Sequence, residues 1–484
     1  MIIKEFIKQQ INNFENGLNK YNEHSKKRKM ELGEKYYSQQ NEEIKERKKQ
    51  YYSEDSARPI DDPFRANNKL PSGYLKLLIK QKVAYSINDK LAIKSDNSDE
   101  IEDTLGKMWR NDLKKAGETA SKKLYAVWQF YLDDNEELAY KKIPSEQVIP
   151  YYENGNLKNV IRYYKQSYEV AGKVQEYEIA ELWDSEKATY YYKKDGNWLL
   201  SRFHEVNPKP HITNEERLNG EVVDSTGDSW DRPPFAILHN NDEEQTDLDP
   251  IKRYIDIYDV VDSDFANNIE DFQDAWWVLK NFDGQDIDEF FAQVKKYKAL
   301  KVGDGGEAHP EQMEIPTEAR MKFLDKTEKL IYKFGMGVNP DDIEGNITNV
   351  RIKALYSNLD LKANDFEQQV RQFFFDVMYF INRARELNNE ETFDINEIDI
   401  EFDRSMLINE VEKAELANQS IGSLSEPTRL SHDPRVKDVE QEVERRREER
   451  EDYIDLDKVN EMEDRIREIV MSQMKTEEES EGDE

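Results

Sequence analysis

The sequence predicts an α+β fold that is predominantly helical, and three observations support this assignment. Residues 249–272, 317–337 and 350–388 carry apolar side chains at the three- and four-residue spacing of amphipathic helices. Residues 123–203 instead alternate polar and apolar side chains between regularly spaced turns, which is typical of antiparallel strands. The length of 484 residues corresponds to about two to four domains.

The composition indicates a folded but highly charged protein. Acidic residues number 103 against 70 basic ones, which gives a net charge of −33, and 11% of the residues are aromatic. A chain disordered throughout would lack that aromatic content. No stretch has the roughly 18 uninterrupted apolar residues of a membrane helix, and no signal peptide pattern is present, so we expect neither membrane contact nor export. Because the chain has no cysteine, disulfides, zinc–thiolate sites and thiol nucleophiles are excluded.

The sequence contains none of the motifs that mark common enzyme classes. The phosphate loop GxxxxGK[ST], the nucleophile elbow GxSxG and the zinc motif HExxH are absent. The six histidines lack the four-residue spacing that places two imidazoles on one helical face, so we expect no metal and no cofactor. Gly335 and Gly337 follow a predicted helix, where glycine is expected for backbone reasons. A carboxylate pair with acid–base or magnesium chemistry stays open, although no pair stands out among the many acidic residues.

The two ends of the chain differ in charge. Residues 1–50 carry twelve basic and eight acidic side chains, with basic runs at 26–29 and 45–49. Such a run is typical of a solvated helix face, and contact with nucleic acid or with an acidic neighbouring subunit is the alternative. Residues 476–484 are mostly acidic and are predicted to form a disordered tail.

Strands are predicted from period-two patterns bounded by turn residues. The segments 124–132, 176–183 and 188–193 follow this pattern, and the last leads into an Asp-Gly-Asn turn. A further short strand is predicted at 235–238, after two prolines, and another at 398–402, where three apolar side chains alternate.

Two long helices are predicted at 249–272 and 317–337. Asp249 is the predicted N-cap of the first, with Pro250 at the first helical position, and Thr317 is the predicted cap of the second. Each helix carries one apolar stripe on an otherwise charged surface. The stripe of the first helix consists of Ile251, Tyr254, Tyr258, Val261, Phe265 and Phe272, and that of the second of Phe323, Leu324, Thr327, Leu330, Ile331 and Phe334.

A polar segment separates the second helix from a third, very long one. Residues 338–349 are rich in Asn, Asp and Gly and predict a loop of about a dozen residues, a length that is usually functional or mobile. Helical segments are predicted at 407–421 and, highly charged, through residue 450. The long helix at 350–388 is predicted to point Leu355, Leu359, Phe366, Val370, Phe373, Phe374, Val377 and Ile381 inward.

The order of these segments, together with several short motifs, resembles one protein family. The first motifs are Met30-Glu31-Leu32-Gly33-Glu34-Lys35-Tyr36-Tyr37, Ala66-Asn67-Asn68-Lys69-Leu70 and Gln81-Lys82-Val83-Ala84-Tyr85; the later ones lie at 239–241, 256–259, 266–272, 421–428 and 438–451. This pattern spans roughly residues 20 to 470. It is similar to that of the portal proteins of tailed bacteriophages, specifically of siphophages with Gram-positive hosts.

The resemblance implies a portal fold with wing, stem, clip and crown. It also implies a ring of about twelve subunits at one capsid vertex of the virion, through which the genome is packaged and ejected. Mapped by position, the parts are an N-terminal helical segment (1–79), the wing with antiparallel strands (80–248), stem helix 1 (249–272), the clip (273–316), stem helix 2 (317–337), the tunnel loop (338–349), the long wing helix and strand (350–405), the crown helices (406–475) and the acidic tail (476–484).

The resemblance also implies site residues and partners. The partners are the terminase large subunit, a head–tail adaptor, the major capsid and scaffolding proteins, and double-stranded DNA that passes without sequence recognition. The tunnel loop over the DNA would comprise Val338, Asn339, Asp341, Asp342, Glu344, Asn346 and Asn349. The clip interface would comprise Trp276, Trp277, Phe290 and Phe291, either within the clip's own intersubunit sheet or against the adaptor or terminase. Candidate channel-facing stem residues are Lys322, Lys326, Lys329 and Lys333, whose alternative is pairing with acids of a neighbouring stem helix.

The strongly acidic composition fits a DNA conduit because tight binding to duplex DNA depends on cationic contacts with phosphates. An acidic lining repels the phosphates and lets the duplex slide. Two readings from other classes remain open at this point. One is a helical scaffold or adaptor that acts through protein–protein contacts, and the other is a nucleic-acid enzyme with an unrecognised carboxylate cluster.

Overall fold

The computed structural model describes most of the chain in two compact units. The main unit contains residues 1–339 and 356–405, and the second unit contains residues 340–355 and 406–484. The described residues are 2–16, 25–51, 58–62, 65–133, 135–170, 173–218, 221–271, 276–280, 307–311, 316–343, 348–404, 419–420, 423–431, 436 and 439–480.

Helices dominate the N-terminal part of the main unit. Ser25 caps the second helix by accepting a hydrogen bond from the Arg28 N–H at 3.2 Å. Gly33 of the same helix lies so close to the sixth helix that an added Cβ would stand 1.8 Å from the Lys122 carbonyl oxygen, so glycine is required there. The helices are α1 (Ile2–Asn16), α2 (Lys26–Tyr37), α3 (Glu42–Glu46), α4 (Tyr74–Ser86), α5 (Ser98–Leu105) and α6 (Trp109–Lys123).

The strands of the main unit all pair in antiparallel fashion where the structure describes them. They begin with β1 (Gln50–Tyr51), β2 (Ile60–Asp61), β3 (Ala92–Lys94), β4 (Tyr125–Leu132), β5 (Leu138–Ile143), β6 (Val148–Glu153), β7 (Asn156–Val170), β8 (Lys173–Trp183) and β9 (Lys187–Lys194). The remaining strands are β10 (Asn197–Leu200), β11 (Lys209–Pro210), β12 (Ile212–Leu218), β13 (Glu221–Asp228), β14 (Phe235–His239), β15 (Trp276–Lys280), β16 (Glu307–Glu311) and β17 (Asp399–Glu401).

The largest sheet has the strand order β10-β9-β8-β7-β6, with β11 also paired to β9. A second sheet has the order β14-β4-β5, so the strand predicted at 235–238 is confirmed and lies beside β4. The strand predicted at 398–402 is confirmed as β17, which pairs with β3. The other pairs are β1 with β2, β12 with β13, and β15 with β16.

Two apolar cores hold the main unit together. In the first, helices α4 to α6 and the sheet around β4 pack against the long helix α9 (Asn349–Leu387). Trp128 meets Phe373 edge-on with ring centroids 4.9 Å apart, and Phe130 stacks on Phe380 at 4.5 Å. In the second core, α1 covers the large sheet, where Ile7 is fully buried.

The remaining helices of the main unit are α7 (Lys252–Asp271) and α8 (Thr317–Gly335). Two predicted caps are wrong. Asp249 lies in a turn ahead of α7, where its carboxylate accepts from the Thr246 N–H at 2.8 Å, and Thr317 is already the first helical residue after Pro316. The long helix is confirmed: its predicted inward side chains are buried, except Leu355, which is half-buried.

The second unit contains a one-turn 3₁₀ helix (Pro340–Ile343) and the helices α10 (Glu426–Ser431) and α11 (Val439–Ser480). The predicted disordered tail begins too early, because α11 continues past Thr476 to Ser480. Glu and Lys are good helix formers, which favours this extension. The helix predicted at 407–421 lies largely outside the described residues.

Candidate functional site: the stem helices and their junctions

Helices α7 and α8 form an antiparallel pair that α4 supports at its base. Tyr254, near the start of α7, stacks on Phe334, near the end of α8, with ring centroids 5.2 Å apart. Tyr74 at the start of α4 contacts both helices edge-on, at 5.1 Å from Tyr258 and 6.0 Å from Tyr332. These rings fix the two stem helices to each other and to α4.

The side chains of the basic run at 26–29 form ion pairs within the main unit. Each of its four side chains has an acidic partner, which lies on α1, on α3, in the 240–249 segment or next to α7. The structure therefore assigns the run an internal role, which neither the solvated-face reading nor the nucleic-acid alternative had described. The pairs are Lys26–Glu244 (2.6 Å), Lys27–Glu15 (2.9 Å), Arg28–Glu42 (2.5 Å) and Lys29–Asp249 (3.4 Å).

Two residues of the second basic run, at 45–49, neutralise one acid of α7. Arg47 and Lys49 both contact the carboxylate of Asp264, at 2.8 and 2.7 Å. Near the start of the helix, Asp256 accepts a hydrogen bond from the Tyr36 hydroxyl and pairs with Lys252 at 2.7 Å. The N-terminal segment thus clamps an acidic helix by charge.

The most buried face of α7 becomes polar after its first turns. The predicted apolar stripe is confirmed at its start, where Ile251 is buried and Tyr254 and Tyr258 pack against the first core. Further along, the buried positions that continue the four-residue spacing of Ile251 and Ile255 are Asp259, Ser263 and Asn267. We call these three residues the polar seam. Each accepts a hydrogen bond from the extended backbone of residues 68–72: Ser72 N to Asp259 Oδ1 (2.9 Å), Leu70 N to Ser263 Oγ (3.0 Å) and Asn68 N to Asn267 Oδ1 (2.5 Å).

The polar seam can bind residues 68–72 because the repeat distance of an extended chain matches that of a helix. Every second residue of an extended chain advances about 6.6 Å, and every fourth residue of an α-helix advances about 6.0 Å. Alternate N–H groups of residues 68–72 therefore meet successive side chains of the seam. Burial raises the pKa of Asp259, and its hydrogen bonds from Ser72 and Asn41 oppose that rise.

A buried cluster of charges joins α4 and α9 to the segment that precedes α7. Lys82 of α4 has 1% of its side chain exposed and donates to Asn240 Oδ1 at 2.6 Å. The same ammonium lies 2.9 Å from Asp247 Oδ2, and the ammonium of Lys362 on α9 lies 3.2 Å from that oxygen. The Asn240 amide also donates to Asp247, at 3.0 Å. We call Lys82, Asn240, Asp247 and Lys362 the junction cluster.

The junction cluster shifts the pKa values of its members. Burial lowers the pKa of Lys82 to about 8, an effect that Asp247 opposes and Lys362 reinforces. Burial alone would raise the pKa of Asp247, but the ammonium groups of Lys362 and Lys82 outweigh it and lower that pKa to about 2. One carboxylate thus faces two ammonium groups.

The two glycines at the end of α8 allow it to pack closely against α4, so the prediction that they serve the backbone conformation of the helix end is wrong. The left-handed residue at this helix end is Met336, with φ 55° and ψ 39°. A Cβ on Gly335 would stand 2.6 Å from Leu78 Cδ1, and a Cβ on Gly337 would stand 2.2 Å from Leu78 Cδ2. At both positions a side chain would force Leu78 of α4 to shift, so glycine allows the close approach of the two helices.

The predicted tunnel-loop residues fall in different settings. Val338 and Asn339 are buried in the main unit, and Gln81 binds both backbone groups of Val338, with its amide donating to the carbonyl at 2.7 Å. The start of the predicted loop is therefore held to α4. Asp341 and Asp342 are exposed on the 3₁₀ helix of the second unit, and Asn349 begins α9. Glu344 and Asn346 lie outside the described residues.

The four predicted stem lysines are exposed along α8. Lys322 pairs with Glu318 of the same helix at 2.5 Å. In the part of the chain that the structure describes, Lys326 and Lys329 have no ion-pair partner, and Lys333 lies beside the Phe334 ring at 6.0 Å.

The predicted clip residues are only partly described. Trp276 and Trp277 lie on β15, where they stand opposite Glu311 and Pro310 of β16. This pairing forms a two-stranded ribbon within one chain. Phe290 and Phe291 lie outside the described residues.

A search of the described residues for metal sites found no group of three His, Asp or Glu side chains able to hold an ion. The same residues include no helix that is both long and apolar enough to cross a membrane.

Sequence reasoning missed the polar seam and the junction cluster. A signal for each was present: Lys82 interrupts the apolar run of α4, and the seam residues repeat every four positions in α7. Polar residues at core spacing indicate a buried network, yet their partners lie far away in the sequence.

Comparison with known proteins identifies the family. A family model described as "Phage portal protein, SPP1 Gp6-like" matches residues 18–455. The chain is 31% identical over 409 residues to the portal protein of Clostridium phage phiCD119, and the alignment covers 79% of this chain and 85% of that protein. It is 29% identical over 447 residues to the portal protein of Bacillus phage SPP1, with coverage of 88% and 84%.

Solved structures with some similarity come from the neck of GTA particles. A chain from an empty particle computed with C6 symmetry has a TM-score of 0.39 at 10% identity, and one from a native particle computed with C12 symmetry has 0.36 at 9%. Each comparison covers 74% of this chain, and 88% and 87% of the other chains. On the match over residues 18–455 and the identity to phage relatives, this chain belongs to the SPP1 Gp6-like family of phage portal proteins.

Proposed function

We propose that this protein forms the ring-shaped portal channel at one capsid vertex, through which double-stranded DNA is packaged and later ejected. The observation that carries the proposal is membership of the portal family over most of the chain. The ring contains about twelve copies of the chain, in line with cyclic closure of identical interfaces. It docks the terminase large subunit and a head–tail adaptor, and it contacts the major capsid and scaffolding proteins.

The surfaces of the stem helices support assembly into a ring. α7 exposes Ile257 and Ile269, and α8 exposes Met321, Phe323 and Phe334, each with at least 40% of its surface accessible. A subunit on its own leaves these apolar groups in water, whereas neighbouring copies bury them.

The charges of the stem are also complementary. α7 carries six acidic and two basic residues, while α8 carries three acidic and five basic ones. The lysine stripe of α8 faces either α7 of an adjacent copy or the channel. If the stripe contacted DNA, its affinity for DNA would fall steeply as the salt concentration rises. This salt dependence distinguishes a stripe that faces the channel from one that faces α7 of an adjacent copy.

Residues 338–349 form the tunnel loop in this proposal, with Asp341 and Asp342 at the DNA surface. Carboxylates repel phosphates, so the loop acts as a collar that limits slippage and does not clamp the duplex. The clip lies at 273–316, with Trp276 and Trp277 on its ribbon. The protein performs no catalysis, and the energy for packaging comes from a separate ATPase.

The experiment is packaging in vitro. Capsids assembled with this protein, given terminase, ATP and DNA, should protect the genome from added nuclease, and capsids assembled without it should not. A helical scaffold, the alternative class, would change capsid yield or shape without being required for protected DNA. Packaging that proceeds equally well in its absence would refute the portal assignment.

A further inference from the structure

We propose that Lys362 is a positioning residue that ties the base of the tunnel loop to both stem helices. The inference rests on the proposed portal function, which gives the loop and the stem their roles. Its structural basis is a set of contacts that α9 makes with the ends of α7 and α8.

One ammonium group reaches the end of α8 and the segment that leads into α7. Lys362 Nζ donates a hydrogen bond of 2.9 Å to the carbonyl oxygen of Gly335, which is the last residue of α8. It also lies 3.2 Å from Asp247 Oδ2, in the segment that leads into α7. A cation at the C-terminal end of a helix interacts favourably with the helix dipole, so the α8 end is a suitable seat for it.

The bond from Lys362 to Gly335 closes the base of an excursion of the chain. Residues 340–355 separate from the main unit, which the chain leaves after Asn339 and rejoins at Tyr356. Gly335 and Lys362 stand just outside these two points. A force on the tunnel loop therefore reaches the Gln81–Val338 hydrogen bonds and the Lys362–Gly335 bond before it reaches more distant parts of the main unit.

The bond from Lys362 to Gly335 also contributes to the charge balance of the junction cluster. Asp247 faces both Lys82 and Lys362, so the buried cluster has one more positive than negative charge. The carbonyl end of α8 supplies the missing negative potential through Gly335. If α8 moved away, the half-buried Lys362 ammonium would lose that partner and keep only Asp247, which it shares with Lys82, and this is unfavourable. The end of α8 and the segment of α9 around Lys362 (residues 358–366) should consequently move together.

Native-state hydrogen exchange of assembled rings tests the proposal. We expect Lys362→Met to keep ring assembly but to speed exchange of the Gly337 amide and of the first turn of α7 by about tenfold. DNA packaging into capsids should slow several-fold. Lys362→Arg should restore both readouts because it keeps the charge and a donor. Lys353→Met is the matched control, since it removes an exposed lysine from the same helix, and it should behave as wild type.

Two results would overturn the proposal. One is a Lys362→Met ring whose exchange and packaging equal those of Lys353→Met. The other comes from hydrogen exchange of the wild-type protein, which applies even if the variant does not fold. Under mild denaturant the end of α8, the start of α7 and residues 358–366 should open as one unit. Separate openings of these segments would contradict the coupling. If wild-type capsids package no DNA, the portal function fails, while the exchange data still decide whether the coupling exists.

Discussion

The unequal charge count of the junction cluster predicts that its members respond differently to removal. Lys82→Met leaves Asp247 with Lys362 as its partner, so one positive and one negative charge remain. Asp247→Asn leaves two buried ammonium groups with no anion between them. We therefore expect Asp247→Asn to be much more destabilising than Lys82→Met, although both variants break the same ion pair.

The magnitudes follow from the contacts and the pKa of Lys82. Lowering that pKa from 10.5 to about 8 means that keeping the ammonium charged in the folded protein costs about 3 kcal/mol below pH 8. Methionine removes this cost, but Asn240 Oδ1 loses its donor, which costs about 1–3 kcal/mol. The net change in the free energy of unfolding should stay below about 2 kcal/mol. Asp247→Asn should lower that free energy by about 3–5 kcal/mol, the usual cost of leaving a buried charge unpaired.

The same pKa predicts the pH dependence. Between about pH 8 and pH 10 the folded state has lost the Lys82 proton while the unfolded state still holds it, so stability rises with pH in this window. Below pH 8 both states hold the proton, and Lys82 adds no pH dependence. In Lys82→Met the rise above pH 8 should be absent.

The assay is urea unfolding followed by tryptophan fluorescence, with all proteins in the same assembly state and at several pH values. Comparing each variant with wild type at each pH removes the contribution of tyrosines that titrate at higher pH. Equal losses of stability in Lys82→Met and Asp247→Asn would refute the reasoning, as would a Lys82→Met protein that keeps the wild-type rise between pH 8 and 10.

Three further predictions address the packing of α8, the polar seam and the tunnel loop. Gly337→Ala should lower the free energy of unfolding by about 1–3 kcal/mol because its Cβ would overlap Leu78 Cδ2, and Leu78→Ala should relieve part of that loss in a double-mutant cycle measured by urea unfolding. Ser263→Ala should cost about 1 kcal/mol and speed exchange of the Leu70 amide, measured by NMR or mass spectrometry; unchanged exchange would show that the seam does not hold residues 68–72. Asp341→Lys with Asp342→Lys should leave rings intact but slow DNA passage most strongly at low salt, and a normal packaging rate at low salt would place these residues away from the DNA.

The sequence predicted those elements whose signals are local. The apolar spacing that includes Phe366 and Phe373 defined the long helix to within one residue at each end. The Asp-Gly-Asn turn after residue 194 correctly separated β9 from β10. Such patterns depend on neighbours within a few residues, so one sequence is enough to read them.

Interactions between distant segments were not predictable in the same way. Asp259 looked like one more acid on a solvated helix, yet it is fully buried because Asn41 and Ser72 satisfy it. Lys82 gave no sign of its buried ion pair, because Asp247 lies 165 residues further along the chain. Asp249 had the right chemistry for an N-cap, but its carboxylate instead closes a turn with Thr246. In each case a tertiary partner decided the role of the residue.

The central claim is that this chain assembles into a closed ring with an axial channel for DNA. Electron-microscopy class averages of the purified protein, together with its native mass, test this most directly. The account predicts rings with a central opening wide enough for duplex DNA and a mass near 690 kDa, which is about twelve times the 57.3 kDa of one chain. A compact particle near 57.3 kDa at every concentration and salt, or a filament without an axial opening, would contradict it.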